Sequence, residues 1–135
     1  MLDAVASDPE LWQGVTLTGA FIPGVNDRDY SALGHGGTVE TVFVTAGLRS
    51  DRAAGHVAHL PMHYTAFYKR LARRGMVDLV VITVPPPQDG SISLGFCADF
   101  APAAIAAGAR LIGLVNPNMP DPQGAPRLPV ARFEA

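Results

Sequence analysis

Residues 77 to 95 read VDLVVITVPPPQDGSISLG, and this stretch decides the fold. Val77, Leu79, Val80, Val81, Ile82 and Val84 form a near-continuous apolar run broken only by Asp78 and Thr83. Bounded by chain breakers, such a run predicts a strand buried on both faces, in the middle of a parallel sheet. Pro85, Pro86 and Pro87 offer no backbone donors and must leave the sheet, and Asp89-Gly90 supplies a turn. Open α/β folds place ligands at such a loop, at the carboxyl end of a central strand.

Downstream, FCADFAPAAIAAGA predicts a small-residue helix with Asp99 as its cap and Pro102 in its first turn, ending at Gly108. ARLIGLV then predicts a second buried strand, so residues 77–115 form a strand, a crossover helix and a parallel strand. The second strand also runs into a stiff loop, Asn116-Pro117-Asn118-Met119-Pro120. Two adjacent parallel strands thus carry two proline loops to one edge. There Ser93 or Asp89 from one and Asn116 or Asn118 from the other could converge. The segment LPVARF near the C-terminus predicts a last strand.

Upstream the pattern is looser. Leu2, Val5 and Leu11-Trp12 suggest a helical start interrupted by Pro9; GVTLTGAFIPG alternates as a strand; Asn26 to Asp29 form a polar turn. TVETVFVTAG predicts a strand through Val42, Phe43 and Val44, Arg49 to Arg52 a charged loop, and HVAHLP a short extended segment. Pro61 to Arg74 predicts the strongest helix, with Tyr64, Phe67 and Leu71 on one face and Gly75 as its stop. Its C-terminal cations Lys69, Arg70, Arg73 and Arg74 are favoured by the helix dipole by about 0.3–1 kcal/mol each, without need of a phosphate ligand.

Composition bounds the function. At 135 residues, one α/β domain over 1–135 is expected, with 48% apolar residues and only 16% charged. That richness suits a sheet covered on both faces or a surface that a partner covers. A net charge of −2 and few aromatics exclude a nucleic-acid platform, and no run is long enough to span a bilayer. The single cysteine, Cys97, can form neither an internal disulfide nor a thiolate metal cluster, so a cytoplasmic protein is expected. Gly34-His35-Gly36-Gly37 matches neither dinucleotide nor P-loop spacing and reads as a flexible loop. His56, His59 and His63 lack a nearby carboxylate and, on extended chain, the first two face apart, so no metal is expected.

VVITVPPPQDGSISLG, followed after a small-residue helix by GLVNPNMP, resembles the N-terminal half of the acetyl-CoA hydrolase/transferase family, which includes acetate, butyrate and 4-hydroxybutyrate CoA-transferases. Pro85-Pro86, Gly90, Ser93-Leu94-Gly95 and Val115-Asn116-Pro117 with Met119-Pro120 match the family pattern. Pro87 stands where relatives carry an aspartate, with Asp89 two positions on. The resemblance implies an open, mostly parallel sheet with helices on both faces, a CoA-transferase-like half-domain. It also implies a site wall built from Pro85, Pro86, Asp89, Gly90, Ser93, Asn116, Pro117 and Met119. The implied substrates are an acyl-CoA and a carboxylate, with coenzyme A entering as substrate and no further cofactor. The family's nucleophilic glutamate belongs to a C-terminal half or partner subunit, and Glu10, Glu40 and Glu134 do not sit in its motif. The isolated chain is therefore expected to be inactive. Two readings stay open: part of a CoA-transferase or acyl-CoA hydrolase, and an inactive stand-alone binding or structural module. A sheet with missing neighbours also invites pairing into a homo-oligomer.

Overall fold

A computed structural model describes residues 8–22, 37–96 and 98–134. The polar turn at 26–29, most of the glycine loop at 34–37, the start of the N-terminal helix and Cys97 lie outside them. The chain is mixed α/β, with seven strands and three α-helices among the described residues, and forms two compact units, Met1–Tyr64 and Thr65–Ala135.

The first unit is a three-stranded parallel sheet in the order β1 (Thr16–Gly19), β2 (Thr38–Thr41), β3 (Val57–His59). Its register pairs Thr16 with Thr38 and Val39 with Val57. Phe21, Val39, Leu48 and Val57 form its core, with Leu17 and Val44 packed against them. β2 stops before the apolar residues expected to extend it. The Thr41 hydroxyl donates to Phe43 O at 2.9 Å and accepts from Phe43 N–H at 3.2 Å. This local side-chain turn outcompetes the ladder.

Arg49 to Arg52, expected as a loop, belong instead to helix α1 (Arg49–Ala53), entered through a 3-10 turn at Ala46–Leu48. Leu48 and Asp51, three residues apart, are the buried positions, which turns Arg49 and Arg52 to solvent.

In the second unit β4 (Leu79–Val84) pairs in parallel with β6 (Arg110–Val115), Leu79 opposite Arg110 through Val84 opposite Val115. The predicted strand, crossover helix and parallel strand are thus present. β4 is not buried on both faces: only Val84 is fully buried, and Leu79 and Thr83 are exposed. Helix α2 (Tyr64–Leu71) is shorter than predicted and starts three residues after Pro61. It buries Phe67 and Leu71 but leaves Tyr64 half exposed, and Phe67 meets the Phe100 ring edge-on with centroids 4.8 Å apart.

Helix α3 (Ala101–Ala106) carries Pro102 in its first turn and buries Ala103 and Ala104. Its cap position is Phe100 with no side-chain cap; Asp99 instead has a left-handed φ of 47°, which prevents it from capping. The sequence reading missed β5 (Ser91–Ser93), which pairs antiparallel with β7 (Arg127–Pro129). The predicted last strand is therefore only three residues long and gives way to a 3-10 turn at Val130–Arg132. Among the described residues no helix is long and apolar enough to cross a membrane.

Candidate functional site

β4 and β6 run the same way in register, so the loops that follow Val84 and Val115 leave from one end of the pair. The second loop is pinned to the first strand: Asn116 N–H donates to Val84 O at 2.8 Å. Asn116 Oδ1 then accepts from Asn118 N–H at 3.0 Å, and Met119 N–H donates to Asn116 O at 3.0 Å. The asparagine thereby closes its own turn, and among the described residues its side-chain NH2 group, on an exposed residue, has no protein acceptor.

In the first loop Pro85 is buried and Pro86 exposed. Asp89 and Gly90 have φ of 47° and 72°, and Gln88 and Ser91 exchange backbone hydrogen bonds of 2.8 and 2.9 Å around them. Two positive φ values in a two-residue Asp-Gly loop make the hairpin turn that matches strand twist. That turn feeds β5. Gly90 O accepts from Val130 N–H at 3.0 Å, and Leu94 N–H reaches Pro126 O at 2.8 Å.

Ser93, the last residue of β5, is fully buried, and its Oγ accepts from Gly95 N–H at 3.0 Å. The hydroxyl holds Gly95 in a left-handed conformation, φ 74°. Glycine is required there twice over. A β-carbon on Gly95 would face the strain of that conformation, overlap the Met119 ε-methyl and lie 3.3 Å from the Met119 sulfur. The two loops thus touch through Met119 laid over Gly95. Phe96 beyond it and Val115 at the strand end are 76% and 55% exposed, an apolar rim to this meeting point.

An ionic clamp lies behind the loops. Arg127 Nη1 donates to Asp121 Oδ2 at 2.7 Å, and its Nε donates to Ser91 Oγ at 2.9 Å. Arg127, assisted by the Ser93 hydroxyl, holds the Asp121 carboxyl below its ordinary range against the opposing effect of desolvation. β7 is thereby tied to β5 on one side and to the chain just after Met119 on the other. Sequence reasoning named neither Asp121 nor Arg127: they lie 28 and 36 residues beyond the serines they support, and no short motif links them. Gly95 lay within the quoted motif, but only the geometry explains the requirement for glycine.

Pro85, Pro86, Asn116, Pro117 and Met119 therefore leave one end of the β4–β6 pair, and Met119 meets Gly95 two residues beyond Ser93, whereas the Asp89-Gly90 turn is tied to Val130 instead. Ser93 is enclosed and faces its own loop; Pro86, Asn116 and Pro117 are exposed and Met119 is half-buried.

The fold is similar to that of RipA from Yersinia pestis. The crystal structure of that protein superposes with a TM-score of 0.67 at 23% identity, over 99% of this chain and 40% of the RipA chain. Two RipA variants, one with a glutamate replaced by valine and one with a glutamate replaced by aspartate, superpose with TM-scores of 0.66 at 22% and 21% identity. They too match 99% of this chain, which spans well under half the length of each. No family model and no curated protein matches the chain. The α/β fold class is shared with these structures.

Among the described residues no group of three or more His, Cys, Asp or Glu is placed to hold a metal. Glu134 is engaged by Arg110 through two 2.7 Å hydrogen bonds, which pull its carboxyl below the ordinary range.

Proposed function

We propose that this chain is the N-terminal part of an acyl-CoA:carboxylate CoA-transferase or acyl-CoA hydrolase and forms one wall of the acyl-CoA cleft. The observation that carries the reading is the Gly95–Met119 contact, where two proline loops carrying the family-like motifs meet at one end of two parallel strands. The likeness in fold to a longer protein, of which this chain spans 40%, accords with a part rather than a whole.

In this reading Pro85, Pro86 and Pro117 give the wall a fixed shape, Met119 supplies an apolar surface, and the NH2 group of Asn116 donates to a substrate oxygen. Ser93 acts indirectly by holding Gly95, and the Asp89-Gly90 turn sets the direction of β5. The nucleophile is a glutamate of a C-terminal half or partner subunit. Its carboxylate attacks the thioester carbonyl, expels the CoA thiolate and leaves an acyl–glutamyl anhydride; the thiolate then attacks the glutamyl carbonyl and releases the first carboxylate. A second carboxylate completes transfer, and water completes hydrolysis. The reactants are acyl-CoA and a carboxylate, in the cytoplasm, with no separate cofactor.

The test joins chemistry to sequence. Purified chain of verified mass is expected to leave acetyl-CoA unchanged in the presence of butyrate. Together with the polypeptide encoded immediately downstream it is expected to exchange CoA between them. Turnover by the chain alone would overturn the division of labour, and an unrelated downstream polypeptide would favour the stand-alone binding module instead.

A further inference from the structure

The first unit carries a feature that the proposed chemistry does not use. An open surface hollow of about 500 Å3 is lined, among the described residues, by Val44, Arg49, Arg52 and Ala53. Arg49 and Arg52 lie three residues apart on α1, so their side chains leave one face of the helix as neighbours. Both are exposed, and among the described residues neither has a carboxylate partner. The acid between them, Asp51, is buried and among the described residues forms no ion pair with either. Two like charges at this spacing repel each other, and an anion shared between them relieves that repulsion. Guanidinium groups present paired donors that match phosphate oxygens, and Val44 and Ala53 add an apolar wall.

A second hollow gives the contrast. It measures about 410 Å3 and is lined by Ala72, Arg74, Ala106, Ala107 and Gly108, with a single guanidinium. Arg110 and Arg127, for their part, are paired with Glu134 and Asp121. The Arg49–Arg52 hollow combines, among the described residues, two uncommitted guanidinium groups beside an open surface depression.

We propose that this hollow is a binding site for a phosphate-bearing small molecule, whose phosphate oxygens are shared between Arg49 and Arg52 while Val44 and Ala53 contact its organic part. The ligand is anionic and bears at least one phosphate; inorganic diphosphate and ADP separate the contribution of the phosphates from that of an organic group.

The experiment is a calorimetric titration of the full chain with diphosphate and with ADP at low salt, repeated at higher salt. Saturable binding of either compound, weakened by salt, is expected. Arg49→Gln and Arg52→Gln are each expected to weaken it by about tenfold, as loss of one charged hydrogen-bonding group does. Both side chains are exposed, so the variants keep the parent's circular dichroism, and Arg74→Gln is the charge-matched control with unchanged binding. Tighter binding of ADP than of diphosphate supports contact of Val44 and Ala53 with the organic part; equal or weaker binding of ADP overturns that contact and leaves only the shared phosphate. The proposal is overturned if neither compound binds saturably, if the Arg49→Gln, Arg52→Gln double variant binds within about twofold of the parent, or if Arg74→Gln weakens binding as much as they do.

Discussion

Replacing Gly95 by alanine perturbs the point where the two loops meet. Three effects set its size. The left-handed backbone at φ 74° costs a residue with a β-carbon about 1–2 kcal/mol. The new methyl overlaps the Met119 ε-methyl, and displacing a packed side chain costs about 1–3 kcal/mol, here toward the lower end because the atom displaced is the tip of a flexible chain. Alanine restricts the unfolded chain more than glycine does, which returns about 0.4–1 kcal/mol. The net expectation is a loss of about 2 kcal/mol. Urea unfolding followed at the amide resonances of Val81 and Ile112 reads this out in the second unit. Gly95→Ala and Met119→Ala must also couple: in the Gly95→Ala background, removing the methionine relieves the overlap by about 1 kcal/mol and leaves only the backbone strain. A Gly95→Ala variant within about 0.5 kcal/mol of the parent would refute the reasoning, as would strictly additive single and double variants.

Two further outcomes follow from neighbouring geometry. A β-carbon at Gly113 would lie 2.9 Å from the Phe133 ring and 3.1 Å from Val84 Cγ2, and a ring cannot swing aside as a methionine tip can. Gly113→Ala should therefore lower stability by about 1–3 kcal/mol in the same assay, and Phe133→Leu should recover part of it. Acid unfolding tests the ion pairs: Asp121 lies below its ordinary value of 3.8 because of Arg127, and Glu134 below 4.5 because of Arg110. A depressed carboxylate stabilises the fold above its unfolded value and loses that contribution as pH falls through the folded one, so both pairs should fail only below pH 4.5. Asp99, raised by burial, contributes a slope of the opposite sign. Arg127→Gln should flatten the acid-side dependence attributable to Asp121, and an unchanged pH–stability profile would contradict the clamp.

The parallel pair β4–β6 was legible because its signals are local: an apolar run, proline breakers and a small-residue helix between two such runs. The meeting of the loops could be anticipated from topology alone, because parallel strands joined by a crossover deliver their exits to one end. What the sequence concealed were interactions set by distant or competing partners. β5 is three residues long and exists because β7 supplies its ladder from far along the chain, so SIS between Gly90 and Leu94 shows no periodicity. Thr41 reads as a strand former, yet its hydroxyl bonds to the Phe43 backbone and ends β2. Arg49 to Arg52 read as a loop by charge, although Leu48 and Asp51 anchor them as a helix from the buried side. Ser93 was selected as a polar group at the right place, but its full burial and its bond to Gly95 N–H give it a supporting rather than a contacting position.

The central claim, that the two proline loops form a wall for an acyl-CoA, is tested most directly by mapping amide and methionine-methyl shifts of the isotopically labelled chain on addition of butyryl-CoA. The account predicts saturable shifts centred on Gly90, Gly95, Asn116 and the Met119 methyl, with Gly95→Ala reducing them. Saturation without any shift at these positions, or the absence of any response to butyryl-CoA, would contradict it.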